Sequence, residues 1–302
     1  MCPPASETEC GDLNLTGVAK AIKYHRRLQH FYAGREDGGR GGGRQAAYLA
    51  LTMAQRLLQG GIPATVYPGE SPLLLAFPGK RYIGVGIEVT DSGKVGGSRV
   101  WRILAGQVAA GALDGAMVAD PGFFPVTARD GLPVIHPDLF GRLPRLALEA
   151  ARLLSPDEAY VLAEFGQAGG RWRKAEARGY ALRLAKHLLS LLASGGLQQY
   201  KGLNAAEVAL AGILAEAGPA GVTGRTLGRI WRLANGHQAP TEEQGGMQPA
   251  DGRRAPHVPG LQEAIARLRS AGFRLIMAEN SQKKAICQEK AVYREEAVYR
   301  LE

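Results

Sequence analysis

In the first half of the chain, Ala47, Leu51, Ala54 and Leu58 recur at the spacing of one helix face, and Gly60-Gly61 closes the run. Three stretches of strand character follow: Ala64 to Tyr67, Leu73 to Phe77 and Tyr82 to Thr90. Trp101, Leu104, Ala105 and Val108 mark a second helix face, with Ser98 as its cap, and Gly115 to Ala119 (GAMVA) reads as a short buried strand. Helix, three strands, helix and strand predict an α/β domain whose last crossover is parallel.

Upstream, residues 1 to 14 read as a loose tail and Leu15 to Tyr32 as a helix with basic and aromatic residues interleaved. Residues 34 to 44 (GREDGGRGGGR) predict a flexible loop, because ordering so many glycines costs backbone entropy. Gln45-Ala46-Ala47 supplies neither the lysine nor the hydroxyl that a phosphate-binding loop needs after its glycines.

Beyond the strands, Pro121 to Pro144 holds five prolines and predicts an irregular connection. Leu146 to Phe165 and Lys174 to Ala193 predict helices, the second carrying Leu184, Leu188, Leu191 and Leu192 on or near one face, which would bridge two domains or pack a homodimer. Asn204 caps a further helix with Val208, Ala211 and Ala215 inward. After GPAGVTG comes a helix with Leu227, Ile230, Trp231 and Ala234 on one side and Arg225, Arg229 and Arg232 on the other. A polar stretch from His237 to His257 separates it from a helix that buries Leu261, Ala264, Ile265 and Leu268 and presents Gln262, Arg267 and Arg269. Strands at 273–277 (FRLIM) and 297–301 (AVYRL) close the pattern, which divides the chain into an α/β domain at 15–145, a helical connector at 146–200 and a mainly helical domain at 201–302.

Composition sharpens this in two ways. The formal charge of +9 favours a polyanionic partner, yet Lys+Arg against Asp+Glu runs 16 to 13, 7 to 4 and 14 to 11 over residues 1–150, 151–194 and 195–302, so no basic tail accounts for it. Binding would need local clusters, such as Arg171, Arg173, Lys174, Arg178, Arg183 and Lys186; a solvated helix face gives the same pattern. Cys2, Cys10 and Cys287 form neither a disulfide framework nor zinc-ligand spacing, and MCPPASETEC lacks the shape of a secretory signal, so a cytoplasmic protein is expected. Charged residues and glycines interrupt every apolar run before the ~20 residues of a membrane span. His25 and His30 are five apart rather than four, and the other histidines are scattered, which offers no zinc pair.

The element order of the first half, together with GIEVTDSGK at residues 86–94, resembles the restriction-endonuclease-like fold of PD-(D/E)xK nucleases. That resemblance implies Mg²⁺ held by Glu88 and Glu70, with Lys94 orienting the attacking water. Thr90 stands where the motif has its lysine, so the cation would come from Lys94, Arg99 or Arg102. The competing reading of Glu88 is an acid at a strand end, solvated or paired with Lys80 or Arg81.

The segment LRSAGFRL with the closing YRL resembles winged-helix DNA-binding domains. The resemblance implies double-stranded DNA as partner, Gln262 and Arg269 at base edges with Arg267 beside them, and Lys283 and Lys284 on phosphate. Arg225, Arg229 and Arg232 add a basic stripe. The expectation is a DNA-binding protein, either a Mg²⁺-dependent endonuclease or a non-enzymatic transcription regulator whose first domain is inactive or senses a ligand. A partner-binding structural protein is the third class.

Overall fold

The computed structural model describes residues 23, 41–67, 72–89, 99–123, 126–169, 172, 175–236, 258–278 and 297–302. Strand β3 (Ile83–Ile87, IGVGI) shows how its central sheet is covered. Ile83, Val85 and Ile87 enter the core shared with helix α1 (Gly41–Gln59), whereas Gly84 and Gly86 face helix α2 (Arg99–Ala109). A Cβ at Gly86 would lie 2.6 Å from Val100 Cγ1, and one at Gly84 would lie 2.9 Å from Leu104 Cδ2, so the bare backbone lets α2 come close. In strand β4 (Gly115–Ala119), Ala116 and Val118 join the α2 side with Trp101 and Leu104, while Met117 and Ala119 join the α1 side. The period of two thus builds three layers, helix, sheet and helix.

The mixed sheet has six strands in the order β1-β2-β3-β4-β6-β5, with β1 at Ala64–Tyr67, β2 at Leu73–Ala76, β5 at Val126–Arg129 and β6 at Leu132–Ile135. The first three strands form an antiparallel meander; β3, β4 and β6 are parallel, and β5 is an antiparallel edge. The α/β expectation and its parallel crossover are met.

Three differences from the sequence reading have local causes. Within Pro121 to Pro144, β5 and β6 form a hairpin closed by Asp130 (φ 48) and Gly131 (φ 76), the two positive angles of a tight primed turn. The single helix expected over Leu146 to Phe165 is two helices, α4 (Pro144–Glu149) and α5 (Pro156–Gly169). Ser155 restarts the chain with a capping box: its Oγ accepts from the Glu158 amide (3.2 Å), and the Glu158 carboxylate accepts from the Ser155 amide (3.0 Å). Residues 41–44, assigned to the glycine loop, form the first turn of α1, where packing of Ala46, Ala50, Met53 and Leu57 carries the helix beyond its propensity. The helix expected over Leu15 to Tyr32 falls outside the described residues apart from Lys23.

Helix α3 (Asp138–Arg142) leads into α4, and α6 (Ala175–Ser194) then packs against α7 (Ala205–Ala217). The α6 leucines face inward within this chain: Leu184, Leu188 and Leu192 are buried, and Gly212 of α7 leaves room for Leu184. Asn204 caps α7 as expected, accepting from Ala206 and Glu207, with Glu207 returning the bond to the Asn204 amide. His187 on α6 shares a 2.7 Å hydrogen bond with Tyr200, which ends a 3-10 turn (Gly196–Tyr200).

The remaining elements are β7 (Val222–Thr223), α8 (Gly224–Ala234), α9 (Leu261–Ser270), β8 (Leu275–Ala278) and β9 (Val298–Leu301). They form a three-stranded antiparallel sheet, β7-β9-β8, beside α7, α8 and α9. Every residue expected on the inner faces of α8 and α9 is buried.

Two stability predictions follow from this packing. A Cβ at Gly115 would fall 1.4 Å from the Ala151 carbonyl oxygen, so Gly115→Ala should lower unfolding free energy by about 3 kcal/mol. Gly106→Ala, on an exposed turn of α2 with open space, should raise it by about 0.5–1 kcal/mol; urea denaturation reads both. Burial lowers the His187 pKa below its ordinary 6.5, opposed by the negative charge of Glu216, itself paired with Lys186. The unfolded chain therefore binds this proton first, and the contribution of His187 to stability is present above pH 6.5 and lost as pH falls through the lowered value. Melting curves of wild type minus His187→Gln should show that slope; a flat difference below pH 6.5 would contradict it.

Candidate functional site

Parallel pairing fixes the arrangement at one edge of the six-stranded sheet. Ile87 is level with Ala119, and Ala119 with Ile135. The next residues, Glu88, Asp120 and His136, therefore form a row across three neighbouring strands, whose spacing is about 4.8 Å. Backbone bonds hold it: the Glu88 amide donates to Ala119 O (3.0 Å), and the Asp120 amide donates to Ile135 O (3.1 Å). Ligands of open sheets with parallel strands collect at this carboxyl edge.

The three side chains differ in how they are satisfied. Glu88 is 9% exposed, and neither carboxylate oxygen has a hydrogen-bond partner among the described residues. It is therefore neither solvated nor bonded to Lys80 or Arg81. Asp120 is fully buried, and its Oδ1 accepts from the Gly122 amide at 2.7 Å. His136 Nδ1 accepts from the Asp138 amide (3.2 Å) and lies 3.7 Å from Asp138 Oδ2.

A buried carboxylate without a donor costs free energy, and proteins retain such a group where a ligand satisfies it. The chemistry of Glu88 and Asp120 fits a hard divalent cation, which takes oxygen ligands and completes its shell with water or substrate oxygens. Among the described residues, no three His, Cys, Asp or Glu side chains converge as a complete metal cage. Glu70 and Lys94 lie outside the described residues, as does Thr90. Arg102 is exposed on α2, and Arg99 opens that helix.

Asp120 and His136 were not singled out from the sequence as site residues. Asp120 reads as a turn residue and does serve one through Gly122. The signal that could have found both was the parallel crossover, which puts the residues after GIEVT's core, GAMVA and LPVI side by side.

At the other end of the chain, the arginines separate into committed and uncommitted groups. Arg225 and Arg229 are exposed on α8 and make no ion pair with another described residue. Arg232 is half-buried and turned back, its Nε donating to Gly228 O at 3.3 Å. On α9, Gln262 is exposed, while Arg269 donates to Leu275 O at 3.4 Å. Arg267 pairs with the buried carboxylate of Glu207, the residue that completes the cap of α7. Lys283 and Lys284 fall outside the described residues.

Among the described residues no helix is long and apolar enough to cross a membrane. Comparison with protein-family models, curated proteins and solved structures gave no match to this chain.

The Glu207 contact makes Arg267 a structural residue. Arg267→Ala would leave a buried carboxylate without its cation and should cost about 1–3 kcal/mol in urea denaturation. Arg225→Ala and Arg229→Ala should each change stability by less than about 0.5 kcal/mol. Equal effects at all three positions would refute the assignment.

Proposed function

We propose that this chain is a DNA-binding protein with metal-dependent endonuclease activity, its cation held at the carboxyl edge of the six-stranded sheet. The observation that carries the reading is the buried carboxylate of Glu88, without a hydrogen-bond partner among the described residues, beside Asp120. The order α1, β1, β2, β3, α2, β4 with β3 and β4 parallel supports the restriction-endonuclease-like resemblance, in which Glu88 occupies the position of an acid at the end of a central strand. Glu88 and Asp120 would hold Mg²⁺, with Glu70 as a further ligand and Lys94 as the water-orienting cation. When bound, the ion would supply Lewis-acid stabilisation of phosphate charge and lower the pKa of its water.

The order α7, β7, α8, α9, β8, β9 supports the winged-helix resemblance at residues 201–302, because three helices lead into an antiparallel pair and β7 joins the far side of β9. DNA contact falls to the side chains that the fold leaves uncommitted: Arg225 and Arg229 on α8 and Gln262 on α9. Arg267 drops out of the reading surface through its pair with Glu207. The three cysteines agree with a cytoplasmic setting. Thr90 in place of the motif lysine favours one rival, a non-enzymatic regulator that binds DNA without cutting it.

Incubation of the full chain with mixed duplex DNA across a salt series, with Mg²⁺ or with EDTA, tests both parts. Cleavage is expected only with Mg²⁺ and should be lost in Glu88→Ala. Mg²⁺ should also raise the melting temperature of the wild type and not that of Glu88→Gln, a readout independent of turnover. Binding should weaken steeply with salt, and the Arg225→Gln, Arg229→Gln double variant should reduce the log-log slope by about two. Salt-sensitive binding without cutting would transfer the assignment to the regulator, and failure to bind at low salt would overturn the DNA reading.

A further inference from the structure

Next to the Glu88, Asp120 and His136 row is a cavity of about 260 Å³ that the nuclease reading does not use. Its walls come from four elements. Pro121 follows directly on Asp120 after β4, and His136 follows β6; α3 supplies Leu139 and Arg142, and the first turn of α6 supplies Arg178, with Leu182 one turn further on.

The charge in this cavity is unbalanced. Arg142 and Arg178 both line it, and neither makes an ion pair with another described residue. Asp138, the one acid among the described lining residues, is engaged by Arg56, 3.7 Å away, whose guanidinium also donates to Pro137 O at 3.5 Å. His136 Nδ1 is itself engaged by the Asp138 amide. Two guanidinium forks around one cavity offer more donors than a single carboxylate can accept, whereas a phosphate presents three oxygens and up to two charges. The floor of Pro121, Leu139 and Leu182 is apolar and offers a surface for the group that carries the phosphate. The volume admits a phosphate with its sugar and excludes a folded polynucleotide.

We propose that this cavity is a binding site for a phosphate monoester, held by Arg142 and Arg178. On the DNA-binding reading, on which this choice rests, the ester is the 5′-phosphate of a nucleotide, free or at the end of a DNA strand. The site stands on the cavity and its charges, and it holds whether or not Glu88 supports cleavage.

Calorimetric titration of the full chain with inorganic phosphate, 5′-deoxyadenosine monophosphate and deoxyadenosine tests it. The monophosphate should bind, inorganic phosphate should compete with it, and the nucleoside should not bind. Arg142→Gln and Arg178→Gln, both at exposed positions that fold does not require, should each weaken binding about tenfold. Arg183→Gln on the same helix and Glu88→Gln at the sheet edge should leave it unchanged, which separates this site from the proposed cation site. A 5′-phosphorylated oligonucleotide binding more tightly than its 5′-hydroxyl twin, in a manner lost with Arg178→Gln, would identify the strand end as the source. Equal binding of the two oligonucleotides alongside binding of the mononucleotide would identify the free nucleotide. No binding of monophosphate, equal binding of nucleoside, or indifference to both arginine variants would overturn the proposal.

Discussion

Parallel pairing of β3, β4 and β6 is the constraint on which the first half of the molecule depends. Parallel neighbours cannot be joined by a tight turn, so α2 must carry the chain from β3 back to the start of β4, and in doing so it covers one face of the sheet. With α1 on the opposite face, the central strands are buried on both sides and read as nearly continuous apolar runs. The same polarity brings the end of each strand to one edge. A one-residue slip of β3 would turn Ile83, Val85 and Ile87 toward α2 and its glycines toward α1, so the hydrophobic pattern that builds the core also fixes where Glu88 stands.

In the second half, one carboxylate has a comparable role. Glu207 is buried, closes the cap of α7 by accepting the Asn204 amide, and takes the guanidinium of Arg267 from α9. The start of α7 and the face of α9 are thereby fixed through a single side chain. Tyr200 adds a second link, its ring 5.3 Å from Phe273, and Trp231 donates to Pro259 O at 2.9 Å just before α9 begins. Arg225 and Arg229, exposed on α8, and Arg267, tied to Glu207, are told apart by contacts that spacing does not reveal.

Elements with a strong period were legible in the sequence. The faces of α1, α2, α8 and α9, the four strands from Ala64 to Ala119 and the Asn204 cap all followed from residue spacing and capping chemistry. What escaped had local signals weighed too lightly. Asp130-Gly131 between VTAR and LPVI is a hairpin signature, but the surrounding prolines pointed to a loop; Pro133 is tolerated in β6, which pairs with β4 only from Val134 onward. Ser155-Pro156-Asp157-Glu158 is a helix start that ends the run from Leu146. At the site, Glu88 was legible through its strand, while the row with Asp120 and His136 was not, because register between strands far apart in sequence leaves no mark in either strand. The Arg267 contact was hidden for the same reason, sixty residues separating it from the acid it meets.

The glycine face of β3 ties that row to the far side of the sheet. Gly84 and Gly86 leave no side chains to cushion α2, so Val100 and Leu104 rest on the strand backbone itself. The helix and the strand then behave as one lever with Glu88 at its tip. A change of one methyl group at Val100 or Leu104 cannot be absorbed by a neighbouring rotamer on β3 and passes into the position of the strand. Positions 84, 86, 100 and 104 should therefore drift together through evolution, as a single joint whose tolerance is set at Glu88 and not at the helix surface.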